Sequence, residues 1–186
     1  AKLAAGLGAN VYILDINMDN LRYLDDTMPE NVHTIYSNRH ALKELLPKID
    51  LLIGAVLVVG AKAPKLIDRE LLSLMKSGSV LVDVSVDQGG CIETTKPTTH
   101  KDPTFVEEGV THYCVANMPG AVPYTSTVAL TNATFNYIKL IANNGLDILK
   151  NNEEILSGLN TYDGKITHEA VANSFNLDYT NPKSIL

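Results

Sequence analysis

Strand-like and helix-like segments alternate along the first two thirds of the chain, and this order strongly restricts its fold. Short apolar runs rich in β-branched residues predict five strands, at 10–15, 32–36, 51–57, 80–86 and 111–115. Apolar spacing and capping residues predict helices at about 19–26, 39–49, 68–75 and 126–143. The sequence therefore predicts an α/β fold, a Rossmann-like doubly wound parallel sheet followed by a helical C-terminal segment. The run at 51–57 has no polar alternation, which predicts a strand buried on both faces.

Ligands of such sheets bind outside the carboxyl ends of the strands. Candidate ligand-binding residues are therefore those that end the predicted strands or follow them directly. The candidate positions along this rim are Asp15, Ser37, Val56 with Leu57, Asp87 and Asn117.

Asp15 ends the first predicted strand. An acid at such a position can hold the ribose hydroxyls of a dinucleotide, although turn formation is the commoner role for an Asp at a strand end. In dinucleotide sites this acid lies ~20 residues beyond a Gly-x-Gly-x-x-Gly loop, and that distance reaches past Ala1. Gly6-Leu7-Gly8 is no substitute, because it lies at a predicted helix end. We therefore expect a sheet that lacks its first strand and glycine-rich loop, with two exposed apolar edges that favour self-association.

The segment VLVDVSVDQGGC, residues 80–91, is an apolar run that ends in Asp87 and two glycines. One interpretation is a plain β-turn that Asp87 begins and Gly89-Gly90 complete. The other is a carboxylate placed at a strand end for acid–base chemistry, with glycines that allow close approach of the backbone. Local sequence leaves both interpretations open.

Composition and charge exclude several classes of function. The net charge is −6 and the 15 Lys and Arg residues are scattered, which argues against binding to nucleic acid or to an anionic membrane. No apolar run reaches the ~18 residues of a membrane span. The two cysteines, Cys91 and Cys114, and the five scattered histidines have no metal-site spacing, so we expect no metal. A reduced, cytoplasmic location is expected by default.

Three further polar residues near the predicted rim have ordinary explanations. Lys62 and Lys65 flank Pro64 and are expected to be solvated loop residues rather than phosphate contacts. His100 follows two threonines and is the one histidine close enough to the rim to merit a test.

Several long segments of the chain resemble bacterial L-alanine dehydrogenases, of the alanine dehydrogenase/transhydrogenase family. They are AVLVVGAKAPKLI (55–67), VLVDVSVDQGGC (80–91), PTTH (97–100) and YCVANMPGAVPYTSTVALTNAT (113–134), supported by LDIN (14–17) and GLNTYDGKIT (158–167). The resemblance covers essentially the whole chain but only the C-terminal half of a full family member. It implies an incomplete NAD-binding domain at 1–127, and a helical segment at 128–186 that packs on the substrate domain.

The resemblance also implies an activity, the reversible NAD-dependent conversion of L-alanine to pyruvate and ammonium. Hydride removal from the amine carbon gives an iminium that water attacks, and Asp87 matches the family's catalytic aspartate at that carbon. The implied cofactor-binding residues are Asp15, Ser37, Val56, Leu57, Val84, Ser85, Val86, Asp87, Val115, Ala116, Asn117 and Met118. The family often has a basic residue where this chain has Asn20, which bears on cofactor affinity. Full-length relatives are typically hexamers, so a homo-oligomer is expected.

Two other functions remain open at this point. A nicotinamide nucleotide transhydrogenase has a similar GAKAPKL-type loop but typically lacks Asp-Gln-Gly-Gly-Cys, so the context of Asp87 favours the dehydrogenase. A non-catalytic remnant that acts as an interaction module fits the absence of a glycine-rich loop. We expect these 186 residues alone to be inactive toward L-alanine.

Overall fold

The computed structural model describes residues 1–186, and its strands form three separate sheets. The strands are β1 (Val11–Asp15), β2 (Val32–Tyr36), β3 (Leu51–Gly54), β4 (Val80–Asp83), β5 (Thr104–Glu107), β6 (Val110–Tyr113), β7 (Thr161–Tyr162) and β8 (Lys165–Ile166). One sheet pairs β1 with β2, a second has the order β3-β4-β6-β5, and a hairpin pairs β7 with β8. The β1–β2, β3–β4 and β4–β6 pairs are parallel. The α/β architecture with a parallel sheet is confirmed.

Helices lie between these strands and dominate the C-terminal third. They are α1 (Lys2–Gly6), α2 (Met18–Thr27), α3 (Arg39–Leu45), α4 (Arg69–Leu72), α5 (Pro123–Asn144), α6 (Glu153–Ser157) and α7 (Glu169–Phe175). Side-chain oxygens of Asn17, Asn38, Asp68 and Asn152 accept the first free N–H groups of α2, α3, α4 and α6. Such caps fix where a helix begins. Consequently α2 and α3 start within three residues of the ends of β1 and β2.

The main core lies in and around the four-stranded sheet. Leu71 and Leu72 of α4 and Leu81 of β4 are fully buried, and Leu46, just after α3, is nearly so. Leu42 of α3 packs against the same cluster from a partly buried position. The core therefore anchors β4, whose carboxyl end leads into the Asp87 segment.

The two parallel sheets are not hydrogen-bonded to each other. β1 pairs only with β2, and β3 pairs only with β4, so each of these two strands has one unpaired edge. The prediction of a strand buried on both faces at 51–57 is wrong. The strand ends at Gly54, and the side chains of Leu51 and Ile53 are 50% and 55% exposed. β4 is the only strand beside β3, whose other edge is unpaired.

The second difference from the sequence prediction is strand β5, which the sequence did not reveal. It runs antiparallel to β6 and pairs Thr104 with Tyr113 and Glu107 with Val110. The predicted strand at 80–86 is also shorter, because Val86 to Gln88 form a 3₁₀ turn. The parallel sheet thus carries one antiparallel edge strand.

The C-terminal segment consists of α5 and smaller elements. No residue of α5 is buried, although it spans 22 residues and begins three residues before the predicted start at Ser126. A small cluster of Leu149, Ile155 and Leu156 joins α6 to the turn that precedes it. The Ser174 hydroxyl donates to the Gly60 carbonyl at 3.3 Å, so α7 contacts the loop after β3. None of the helices combines the length and hydropathy needed to cross a membrane.

Candidate functional site

The parallel pairing places several predicted site residues at the carboxyl ends of neighbouring strands. Asp15 ends β1, and its carbonyl accepts the N–H of Ser37, just beyond β2. In the larger sheet, β3, β4 and β6 lead into the segments that contain Val56, Asp87 and Asn117. The predicted rim therefore exists in each of the two sheets.

The Asp15 carboxylate is held by the start of α2. Its Oδ1 accepts the Asn17 N–H at 3.0 Å, and its Oδ2 accepts the Asn20 side-chain amide at 3.4 Å. The Asn17 N–H lowers the pKa of Asp15, a shift that burial opposes and the Asn20 amide supports. The carboxylate is therefore ionised at neutral pH. Each oxygen has a free lone pair, because a carboxylate offers about four acceptor sites.

The segments after β3 and β4 are joined directly. The Ser85 hydroxyl donates to the Val56 carbonyl at 2.7 Å, and the Val84 N–H donates to the Gly54 carbonyl at 2.8 Å. The side chains of Leu57 and Val84 remain 68% and 52% exposed. Two of the predicted cofactor-binding stretches thus lie together and present apolar side chains to solvent.

Asp87 lies in the middle of a tight turn. Val86 to Gln88 form a 3₁₀ turn, followed by Gly89 and Gly90 with φ of 88° and 73°. The segment is therefore a turn, but Asp87 does not begin it, because the Gly89 and Gly90 N–H groups donate to the carbonyls of Val86 and Ser85. The Asp87 side chain is exposed and forms no hydrogen bond or salt bridge within the chain. Its carboxylate is available to a ligand.

The segment after β6 contains a second unusual backbone position. Asn117 is left-handed, with φ of 58° and ψ of 51°, and precedes a 3₁₀ turn that begins at Met118. The Asn117 carbonyl accepts a hydrogen bond from His100 Nε2 at 2.9 Å. A Cβ at Gly120 would lie 3.3 Å from the same His100 nitrogen. His100 therefore supports the backbone at Asn117.

Two predicted contact residues face the protein interior. Val86 and Val115 are 4% and 1% exposed, so their side chains belong to the core. Ala116 is tied to the preceding loop, because its N–H donates to the Thr98 carbonyl at 3.1 Å. The side chains of Val86 and Val115 are therefore not accessible to a ligand.

Two polar residues beside the Asp87 turn have roles that were not predicted from the sequence. Asp83 is fully buried and accepts several hydrogen bonds from the turn and its surroundings. Lys65 was expected to be solvated, but its ammonium donates to the carbonyls of Gly89 and Ile92 at 2.7 and 2.9 Å. Asp83 carries a signal in sequence, since a carboxylate inside an otherwise apolar strand needs a buried partner. Lys65 carries none, because its role depends on a loop 24 residues away.

Comparison with known proteins shows which family the chain belongs to. Residues 1–169 match the family model described as alanine dehydrogenase/PNT, C-terminal domain. The chain belongs to this family. The resemblance to the C-terminal half of alanine dehydrogenases, inferred from the motifs, is confirmed.

Individual relatives of this family are similar along the whole chain. The chain is 53% identical to an alanine dehydrogenase of Halomonas elongata and 53% identical to one of Staphylococcus haemolyticus. In both alignments all of the chain matches 50% of the relative, so the chain spans about half the length of these curated relatives.

Solved structures of the family agree in fold. An L-alanine dehydrogenase superposes on 94% of the chain with a TM-score of 0.82 and 47% identity, and the chain covers 48% of that structure. A transhydrogenase from Sinorhizobium meliloti superposes on 90% of the chain with a TM-score of 0.66, the chain covering 45% of it. Its identity is 23%, so it shows a shared fold and no more.

Proposed function

We propose that this chain is the cofactor-binding half of an NAD-dependent L-alanine dehydrogenase. The observation that carries the proposal is the joined rim, where the Ser85 hydroxyl bonds the Val56 carbonyl beside the free carboxylate of Asp87. Membership of the family and 53% identity to an alanine dehydrogenase support the same assignment. The transhydrogenase is supported by fold alone. No specific observation favours an interaction module.

The residues present fit a nicotinamide dinucleotide. The ionised Asp15 carboxylate, with a free lone pair on each oxygen, suits the two hydroxyls of a ribose. Ser37 would lie beside the adenine, and Val56 and Leu57 would contact the ribose and nicotinamide side. No Gly-x-Gly-x-x-Gly loop occurs in these 186 residues, so the pyrophosphate contacts would come from other parts of the whole protein.

The segments after β4 and β6 would enclose the nicotinamide. Leu57, Val84 and Met118 would offer apolar side chains, while the buried Val86 and Val115 would act through their main-chain groups. Ser85, Ala116 and Asn117 complete the two segments. Apolar walls of this kind exclude water from a reacting centre. When bound, NAD would accept the hydride.

Asp87 would supply the acid–base group of the reaction. L-alanine, NAD⁺ and water give pyruvate, ammonium, NADH and one proton, so a proton must leave the reacting centre in each turnover. The net proton is the one that the alanine ammonium loses before hydride transfer. A carboxylate without protein partners can then accept a proton from the attacking water and return it to the departing amine, so that Asp87 ends the turnover unchanged. Its fixed backbone keeps it in place for both transfers.

The proposal also covers the domains, location and oligomeric state of the whole protein. Residues 1–127 would belong to the NAD-binding domain, and 128–186 would pack on a substrate domain that binds L-alanine or pyruvate. The whole protein would be a cytoplasmic homo-oligomer. These 186 residues alone would not oxidise L-alanine, because neither the substrate domain nor a glycine-rich loop is among them.

A hybrid enzyme tests the proposal. These 186 residues replace the C-terminal half of the Halomonas elongata relative, and NADH formation from L-alanine is measured. We expect an active hybrid that loses about 10²- to 10⁴-fold in kcat on Asp87→Asn, the range for removal of a general acid–base group. Asp178→Asn is the control, since Asp178 is also exposed and unpaired but lies beyond α7. Unchanged kcat in the Asp87→Asn hybrid would refute the assigned role.

A further inference from the structure

The loop that carries Asp87 is fastened by two charged side chains outside it. We infer that Asp83 and Lys65 are positioning residues that hold this loop, residues 84–92, against the end of β4. The inference rests on the proposed function, because it gives these residues a role only if Asp87 acts at the rim.

Asp83 fastens the loop from within the protein. Its Oδ1 accepts the Ser85 N–H at 2.9 Å, and its Oδ2 accepts the Cys91 N–H at 3.0 Å. The Thr95 hydroxyl donates to the same Oδ2 at 2.8 Å. Ser85 and Cys91 stand at the two ends of the Asp87 turn, so one carboxylate closes the turn.

The burial of Asp83 makes this contact strong and specific. The side chain is 0% exposed and forms no salt bridge with any Lys, Arg or His. A buried carboxylate without a cation is tolerated only when hydrogen-bond donors surround it. Loop donors provide this compensation, and the loop would have to leave Asp83 unsatisfied in order to move.

Lys65 fastens the loop from an exposed position. Its ammonium bridges the carbonyls of Gly89 and Ile92 at 2.7 and 2.9 Å. Main-chain bonds join the same two segments, with the Ala63 N–H on the Gln88 carbonyl and the Leu66 N–H on the Cys91 carbonyl. The loop after β3 and the loop after β4 thus form one unit.

Asp87 itself contributes nothing to this fastening. Because its carboxylate has no partner in the chain, its place at the rim depends on the backbone that Asp83 and Lys65 hold. A misplacement of about 1 Å costs roughly 10²-fold in rate at a catalytic centre. Asp83 and Lys65 would therefore affect turnover by holding the Asp87 carboxylate in position.

Hydrogen–deuterium exchange on the 186-residue chain tests whether the residues hold the loop. For Asp83→Asn and Lys65→Met we expect exchange to rise about tenfold or more in peptides covering 84–92, the effect of losing one charge-assisted hydrogen bond. Exchange in 104–113 should not change.

Thr94→Val is the control. It removes a buried 2.8 Å hydrogen bond to His112, so exchange should rise in 110–113 and not in 84–92. Unchanged loop exchange, or a uniform rise across the sheet, would overturn the inference.

Chemical rescue at Lys65 tests whether the ammonium is what matters for turnover. In the hybrid enzyme, Lys65→Cys should lower kcat about tenfold or more, and alkylation with 2-bromoethylamine should restore most of it by replacing the ammonium. Alkylation with iodoacetamide, which leaves a neutral amide, should not. Cys91 and Cys114 are buried, so within these 186 residues the reagents should modify residue 65 alone, and the hybrid with Lys65 intact, treated in the same way, is the control for the other half. Lys65 is exposed, so this variant folds even if Asp83→Asn does not.

The two proposals fail in different ways. If Asp87→Asn leaves the hybrid fully active while the loop exchange rises as expected, the catalytic assignment fails and the fastening stands. If Asp87→Asn inactivates the hybrid but neither Asp83→Asn nor Lys65→Met alters loop exchange or kcat, the positioning role alone is refuted.

Discussion

Gly89 and Gly90 are adjacent left-handed residues of the Asp87 turn, but only one of them lacks room for a side chain. A Cβ at Gly90 would lie 2.7 Å from Asp83 Oδ2 and 2.8 Å from Thr95 Cγ2, whereas a Cβ at Gly89 would meet no atom within 4 Å. A substitution at Gly89 therefore tests backbone strain alone, whereas one at Gly90 tests strain and steric collision together.

Alanine substitution at each position should give unequal losses of stability. We expect Gly89→Ala to lower the free energy of unfolding by about 1 kcal/mol, the cost of a left-handed alanine. Gly90→Ala should lower it by about 3 kcal/mol, because overpacking at Asp83 adds to the same strain. Urea unfolding at low protein concentration measures both, and equal losses would show that Asp83 does not crowd Gly90.

The buried thiols of Cys91 and Cys114 should make stability depend on alkaline pH. Burial raises the pKa of both thiols above the ordinary 9.0, and the nearby charge of Asp83 raises it further. The folded chain therefore keeps both thiols neutral where the unfolded chain ionises them. Their contribution is complete below about pH 9 and is lost as the pH rises through the folded-state pKa values.

Two measurements check the thiol prediction. The free energy of unfolding should fall between pH 8 and pH 10 more steeply than in a Cys91→Ala, Cys114→Ala double variant, which lacks this linkage. A thiol reagent should modify neither cysteine in the native chain at pH 8 and both after unfolding. Rapid modification of the native chain would contradict the burial of these side chains.

The hairpin of β5 and β6 shows an element-scale reason for a missed prediction. Its two-residue turn is Glu108-Gly109, with φ of 52° and 74°. Such turns favour Asn-Gly or Asp-Gly, so Glu-Gly gives little sequence signal. The strand also has only four residues, too few to display its alternation. The apolar strands and the capped helices α2, α3 and α4, in contrast, begin within one residue of their predicted starts, although several end earlier than predicted.

Glu108→Asn should strengthen this turn. Asparagine tolerates left-handed φ better than glutamate, by up to about 1 kcal/mol. The exposed Arg69–Glu108 salt bridge that would be lost contributes little. We expect a small gain in the free energy of unfolding, measured in urea. Glu108→Gln, which removes the charge without improving the turn, should show no gain, and an equal gain in both variants would contradict the explanation.

At the scale of the whole molecule, the exposed surface is larger than the mass explains. A folded monomer of 20.2 kDa should expose about 8,800 Å², whereas this chain exposes 12,200 Å². An obligate interface buries about 2,000–5,000 Å² over both partners together, so the excess of about 3,400 Å² on one chain is larger than one partner's usual share. Much of it is apolar, including Leu51 and Ile53 at the edge of β3 and Leu130, Phe135 and Ile138 on α5.

The isolated 186-residue chain should therefore self-associate. Sedimentation velocity at micromolar concentration should show dimers or larger species, and dilution should lower both their fraction and the unfolding temperature. Ile53→Lys, which places a charge on the β3 edge, should reduce association more than Lys48→Glu outside the sheet. A stable monomer with a sharp unfolding transition would contradict this expectation.

The rim could be predicted from sequence because it depends on strand order, which alternation and motifs reveal. What holds the rim could not, because it depends on contacts between distant loops. Lys65 meets carbonyls 24 and 27 residues away, and His100 meets one 17 residues away. Every residue type has a backbone carbonyl, so no sequence pattern predicts which carbonyl a distant side chain will contact.

The close approach of Gly54 to the Asp87 loop has a consequence for how this sequence can vary. A Cβ at position 54 would lie 2.5 Å from Cys91 Sγ and 3.5 Å from Asp83 Oδ1. Alanine at 54 is therefore excluded by the sulfur of residue 91 rather than by its own backbone, which is not left-handed. Substituted one at a time, Gly54 and Cys91 would seem to be two independent requirements. Together they share one volume, so Gly54→Ala should cost less in a chain that already carries Cys91→Ala, where the end of the Ile92 side chain, 3.0 Å from the added Cβ, is the atom that must shift.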